Sequence, residues 1–325
     1  MDLLIVEALE TEVVRWLAGR HSVRCAPELA RDPRAFRQAL RSVRALVIPP
    51  SVALDAQVLQ QAPVLCAVGR VSAGAENIDM EACSRAGVEV VRSVTATAPA
   101  EAEFMVGALV SMLRRVPVKG AHGASIGREL GACTVGLVGM PPAARSLSKL
   151  LDAFGATVIG YDPALHASDA VWLRWGVKPV GLRELFESSD AVCVQLGYFT
   201  RYHGLLGQRL LPACKLNQVL VSIAHSSVFD EQALADALDS GQLSAAWLDS
   251  LEPGALDEGR PLADIATLQV TPRLASTTRE SRLRSAWAVA RRIDELLLAA
   301  SVAEPGFRPT QPGVELGLEA DPVSR

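Results

Sequence analysis

The stretch TVGLVGMPPAARSLSKLLDAFGATVIGYDP (Thr134–Pro163) decides how this chain is read. Thr134–Val138 is a short apolar run that enters a tight turn. An amphipathic helical pattern follows, and a second apolar run, Thr157–Tyr161, ends in an acid. That order is the layout of a dinucleotide-binding unit. Three small residues there serve the turn, the approach of a pyrophosphate, and helix–strand contact. Gly139, Pro141 and Ala144 stand at those three positions. Asp162 lies 23 positions after Gly139, placed to receive ribose hydroxyls, which favours NAD over NADP.

Working outward, the same alternation of short buried runs and amphipathic segments fills most of the chain. Leu3–Val6, Ala45–Pro49, Val64–Val68 and Val88–Val91 read as strands before the loop. Ala191–Gln195, Val219–Ile223, Ala245–Asp249 and Gln269–Thr271 read as strands after it. Residues 98–115 form a long helical pattern, and a last helix spans about Ser276–Leu298. This βαβ rhythm implies parallel strands with both faces covered. The expected architecture is α/β, with two doubly wound parallel-sheet domains. Residues 1–97 and 286–302 form one, residues 98–285 the other, and 303–325 a mobile tail rich in Pro and Gly.

Composition narrows the function. Of 325 residues, 50% are hydrophobic and 21% charged, with a net charge of −4. No basic block invites nucleic acid. No apolar run approaches the about 18 residues of a membrane span. The acidic start, MDLLIVEALETE, lacks the basic opening of a signal peptide, so a cytoplasmic location is expected. Six scattered cysteines show no metal-ligand spacing and read as reduced core thiols, with no metal expected.

Several motifs in order resemble the D-isomer-specific 2-hydroxyacid dehydrogenases. GRVSAGAENID (Gly69–Asp79) is similar to that family's GR-x-G-x-G-x-D-N-I-D segment, and AEF (Ala102–Phe104) to the start of its interdomain helix. GREL with TVGLVG (Gly127–Gly139), SSDAVCVQL (Ser188–Leu196) and HGLLG (His203–Gly207) follow. FDEQALADAL (Phe229–Leu238), AAWLD (Ala245–Asp249) and VTP (Val270–Pro272) complete the series. The resemblance implies a flavodoxin-like substrate domain and a Rossmann cofactor domain, with a homodimer formed through helices of the cofactor domain. A small anionic ligand would lie in the cleft between domains, its carboxylate met by backbone N–H groups of the Ser72–Ala73–Gly74 turn.

The resemblance also implies an Arg that binds the substrate carboxylate, a His that moves the proton, and a Glu that hydrogen-bonds the His. Here the Arg position holds His225, within SIAHSS. The His position, after VTP, holds Arg273. The Glu position holds Gly254, with Glu252 two residues away. Gln195–Leu196–Gly197 replaces the family's His-x-Pro, and Pro141–Pro142 withdraws backbone N–H groups from the phosphate turn, weighing against tight NAD binding.

These departures point to a divergent family member with lost or altered redox chemistry and a non-redox or ligand-binding role. The alternative is an NAD-dependent oxidoreductase of a small 2-hydroxy or 2-oxo acid with Arg and His roles exchanged. His225 would then be the proton donor, Arg273 the carboxylate clamp, and Glu252 the orienting acid. A Ser–His hydrolase built on His225, Ser226 and Ser227 with Asp230 and Glu231 is a weaker reading, because acids there suit a helix start. His21, His122, His166 and His203 read as surface or loop residues, and Trp247 as a residue that crowds the cleft or fills core.

Overall fold

A computed structural model describes residues 1–72, 74, 76–116, 118–119 and 125–303. The expected tail from 304 onward, Ala73 and His122 lie outside the described residues. The chain divides into two compact units, Met1–Ala96 with the chain from Arg279, and Thr97–Thr278.

The first unit holds strands β1 (Leu3–Ile5), β2 (Val23–Cys25), β3 (Ala45–Val47), β4 (Ala67–Arg70) and β5 (Glu89–Arg92). They pair in parallel in the order β2-β1-β3-β4-β5. This is the flavodoxin-like order. Helices α1 (Thr11–Ala18), α2 (Pro33–Ala39), α3 (Ala56–Leu59) and α4 (Met80–Arg85) connect them. Three of these start on an aspartate that accepts backbone N–H groups. Asp32 accepts from Arg34 and Ala35, Asp55 from Val58, and Asp79 from Ala82, the last two at 2.8 Å.

Helix α5 (Val94–Arg115) begins four residues before the expected start at 98 and carries the chain into the second unit. A short antiparallel pair, β6 (Val118–Lys119) and β7 (Ser125–Ile126), follows. The second sheet contains β8 (Thr134–Val138), β9 (Thr157–Tyr161), β10 (Lys178–Pro179), β11 (Ala191–Val194), β12 (Val219–Ser222), β13 (Ala245–Leu248) and β14 (Leu268–Val270). All are parallel, in the order β10-β9-β8-β11-β12-β13-β14. The first six strands of this sheet thus follow the Rossmann order 3-2-1-4-5-6, with β14 added at the edge. Its helices are α6 (Pro142–Phe154), α7 (Val171–Trp175), α8 (Leu182–Ser188) and α9 (Glu231–Asp239). One face of the sheet packs Val135, Leu137, Cys193 and Val221 against Met105 and Leu109 of α5 and Leu147 of α6. The other packs Val192, Val194 and Leu220 with Phe186 of α8 and Leu234 of α9.

Helix α10 (Arg279–Ala303) belongs wholly to the first unit. The expected boundary at 285/286 therefore moves to Thr278/Arg279. The reason is packing. Val289 and Ile293 lie directly on β4, and a Cβ at Gly69 would stand 2.5 Å from Val289 Cγ1. Trp287 meets Trp16 of α1 edge-on, with ring centroids 5.6 Å apart. His21, expected at the surface or in a loop, does lie in the loop after α1. It is buried, and its Nε2 lies 2.7 Å from Asp294 Oδ1 on α10.

Among the described residues no helix is long and apolar enough to cross a membrane. Of the six cysteines, Cys25 is exposed and Cys66 half-buried, so only four are core thiols. Burial pushes the Cys193 thiol up to about 12, far from nucleophilic use.

Candidate active site on the second sheet

In an open α/β sheet, ligands bind beyond the carboxyl ends of the strands where the strand order reverses. In the second unit that point lies between β8 and β11. Gly139 closes β8 with φ of +89°, in the left-handed region. A Cβ there would stand 3.1 Å from the backbone carbonyl of Gln195, just past β11. The turn is held by two N–H groups. Gly139 donates to the Tyr161 carbonyl and Met140 to Asp162 Oδ2, both at 2.7 Å. Asp162 Oδ1 accepts from Ala164 N–H at 2.8 Å. The acid expected to receive ribose thus fastens the loop, while each of its oxygens keeps further acceptor capacity.

Pro141 is the residue before α6 and Pro142 its first residue. Proline suits that position because the N–H it lacks has no intrahelical partner. Gly155, left-handed at φ 82°, closes the helix. Arg145 N–H bonds back to the Pro141 carbonyl, so Ala143 and Ala144 supply the amides that α6 can offer an anion. Ala144 is fully buried. Gln195 is 4% exposed, and neither its Oε1 nor its Nε2 has a partner among the described residues. A buried amide without partners fits a site whose ligand supplies them. Gly139, the two alanine amides, Asp162 and Gln195 thus fit a dinucleotide, with fewer phosphate donors than a loop free of proline.

Two strands away, His225 follows β12 and caps a single helical turn. Ser227 N–H donates to His225 Nδ1 at 3.3 Å, and Ser227 Oγ lies 2.9 Å from the same nitrogen. With Nδ1 accepting from Ser227 N–H, a neutral ring carries its proton on Nε2. Glu252 Oε1 stands 4.0 Å from Nδ1, beyond a hydrogen bond but within ion-pair range. The Glu252 backbone is tied by its N–H, which donates to Ser226 Oγ at 3.1 Å, while its side chain is 52% exposed. Asp230 caps α9 through Ala233 N–H, and Glu231 pairs with Arg260 at 2.6 Å. Both acids are occupied structurally, so the hydrolase reading loses its acid.

Arg273 follows β14 with φ of +56°, a left-handed backbone for a non-glycine residue. Its N–H donates to the Asp249 carbonyl at 2.7 Å. The buried carboxylate of Asp249, just past β13, shapes this turn. It accepts from Thr271 Oγ1, Leu274 N–H and Ala275 N–H at 2.6–2.9 Å. Glu101 on α5 is half-buried. Desolvation pushes its carboxyl up, and the nearby charge of Asp249 adds to this. Trp247 fills core, edge-on to Phe104 of α5 and bonded to Thr271 Oγ1.

The structure thus brings His225 and Glu252 together and puts Arg273 on the turn after β14. Ser72 and Gly74 follow β4 in the first unit. Gly74 has φ of +92°, and Ser72 Oγ is buried without a partner among the described residues. Sequence reasoning passed over Tyr198. Its ring meets the His225 ring edge-on at 4.8 Å, and the signal was the aromatic run YFTRYH after β11.

Residues 110–275 match the family described as D-isomer specific 2-hydroxyacid dehydrogenase, NAD binding domain. The chain belongs to that family. It is 30% identical over 296 residues to D-3-phosphoglycerate dehydrogenase of Mycobacterium tuberculosis, covering 89% of this chain and 55% of that protein. The chain therefore spans about half the length of this relative. It is 29% identical to (S)-sulfolactate dehydrogenase of Chromohalobacter salexigens, covering 88% of this chain and 95% of that one. The fold is also that of D-lactate dehydrogenase from Aquifex aeolicus, solved with NAD and lactic acid. The TM-score is 0.75 at 19% identity, covering 93% of this chain and 97% of that one. Family membership agrees with a site at the carboxyl ends of the strands of the second sheet.

Proposed function

We propose that this family member is an NAD-dependent oxidoreductase of a small, anionic 2-hydroxy or 2-oxo acid, in which His225 moves the proton. The observation that carries this reading is the His225–Glu252 pair at the carboxyl edge of the cofactor-type sheet, 4.0 Å apart. A fixed imidazole at a strand end, with its proton on Nε2, is the equipment for protonating an alkoxide. Glu252 stabilises the imidazole when it is charged. Arg273 offers the rigid fork that matches a carboxylate. Nicotinamide, when bound, supplies the hydride. Gly139, Ala143, Ala144, Asp162 and Gln195 would hold the dinucleotide. Relatives named as dehydrogenases support the reaction class.

A second reading, an anion-binding protein without redox chemistry, is favoured by one observation. Pro141 and Pro142 offer no N–H, and Met140 N–H is spent on Asp162. Loss of each contact to a charged group weakens binding by about 1.5–3 kcal/mol. Calorimetric titration with NADH separates the two. Micromolar binding followed by oxidation of NADH by a 2-oxo acid supports the first. No binding up to millimolar supports the second.

A further inference from the structure

The loop Gly197–His203 after β11 carries a group of rings that the proposed reaction does not use. Tyr198 and Phe199 are 47% and 50% exposed, unusual for two adjacent aromatic residues. The Tyr198 ring lies between two imidazoles, 4.8 Å from His225 and 5.5 Å from His203. Arg201 stacks on Phe199 at 4.5 Å and on Tyr202 at 4.7 Å, and its Nη2 donates to Tyr202 Oη at 3.1 Å. Phe199 meets Tyr202 edge-on at 5.6 Å. Gly197 makes room for this, because a Cβ there would stand 3.1 Å from the Phe199 ring. The rings are therefore held against one another and against the candidate proton donor.

We infer that Tyr198 and Phe199 form the seat for the carbon-2 substituent of the substrate, and that this substituent is a flat, aromatic one. The inference rests on the His225-centred reading and names the substrate class of that site. Tyr198 is the ring that touches His225, so it is the aromatic surface offered to the substituent beside a keto oxygen that His225 holds. A ring there gains offset or edge-on aromatic contact and covers apolar surface now open to water, whereas a methyl group covers little of it. Arg201 is tied to Tyr202 and stacked on two rings, so it stiffens the seat.

Calorimetric titration with pyruvate and with phenylpyruvate, each with and without NADH, tests the inference. Phenylpyruvate is expected to bind about tenfold tighter than pyruvate, the gain of one good aromatic contact. Tyr198→Ala brings the ratio of the two affinities close to one, and Tyr198→Phe, which keeps the ring, restores it. Equal affinities in the parent protein, a ratio that survives Tyr198→Ala, or no binding of either acid overturns the inference. NADH oxidation, followed in parallel, reports on the redox reading alone. Ring-selective binding without turnover sinks that reading and keeps this one, and turnover without ring selectivity does the reverse.

Discussion

The glycine turn after β8 and the strand ends of β12–β14 lie on the same edge of one sheet, yet they are built in different ways. In the turn, the backbone shape is present and the donors are thinned. Gly139 is left-handed and packed on Gln195, while Pro141 and Pro142 remove N–H groups. At the strand ends, the scaffold is dense, and His225 and Arg273 stand where the resemblance implies an Arg and a His. Asp230 and Asp249 together accept three backbone N–H groups and a hydroxyl, and on that frame stand His225 and Arg273. The comparison separates two tasks. Carboxylates that satisfy backbone amides fix the shape, and the side chains mounted on that shape set the chemistry.

The largest effect should come from the frame. Asp249→Ala leaves Thr271, Leu274 and Ala275 without their buried acceptor, and is expected to lower stability by about 3 kcal/mol. Urea denaturation measures this, and a loss near zero would mean that the turn is held by other bonds. Gly139→Ala forces a Cβ onto a left-handed residue against Gln195. It should lower stability by about 2 kcal/mol, read in the same way. Pro141→Gly with Pro142→Arg returns two N–H groups to the phosphate turn. It should tighten NADH binding at least about tenfold in calorimetry. No gain would place the weakness elsewhere in the loop.

The smallest effect concerns Glu101, whose carboxyl is held above its ordinary range by burial. An acid with a raised folded-state pKa stabilises the fold while protonated, and loses that contribution as pH rises through the folded value. Glu101→Gln removes this dependence. Its melting temperature should match the parent near pH 4 and exceed it increasingly toward pH 7, a trend that thermal melts at stepped pH will show.

Much of the fold was legible because its central strands are short apolar runs. β3, β8, β9 and β12 were read within a residue or two. The edges were not. β2 is VRC, mostly open to solvent, and β10 is Lys178–Pro179, so neither has an apolar signature. The burial of His21 was not legible because its partner, Asp294, is 273 residues away along the chain. In the site, the glycine turn, His225 and Arg273 were visible as motif positions. The pairing of His225 with Glu252, the orphaned amide of Gln195 and the Tyr198–His225 contact are tertiary facts that residue spacing does not carry.

The most direct test of the account is steady-state NADH oxidation by a 2-oxo acid in the parent protein and in His225→Ala. A proton donor of this kind contributes about a hundredfold or more to turnover. The account predicts a loss of at least that size in kcat. Turnover retained within a few fold in His225→Ala would contradict it.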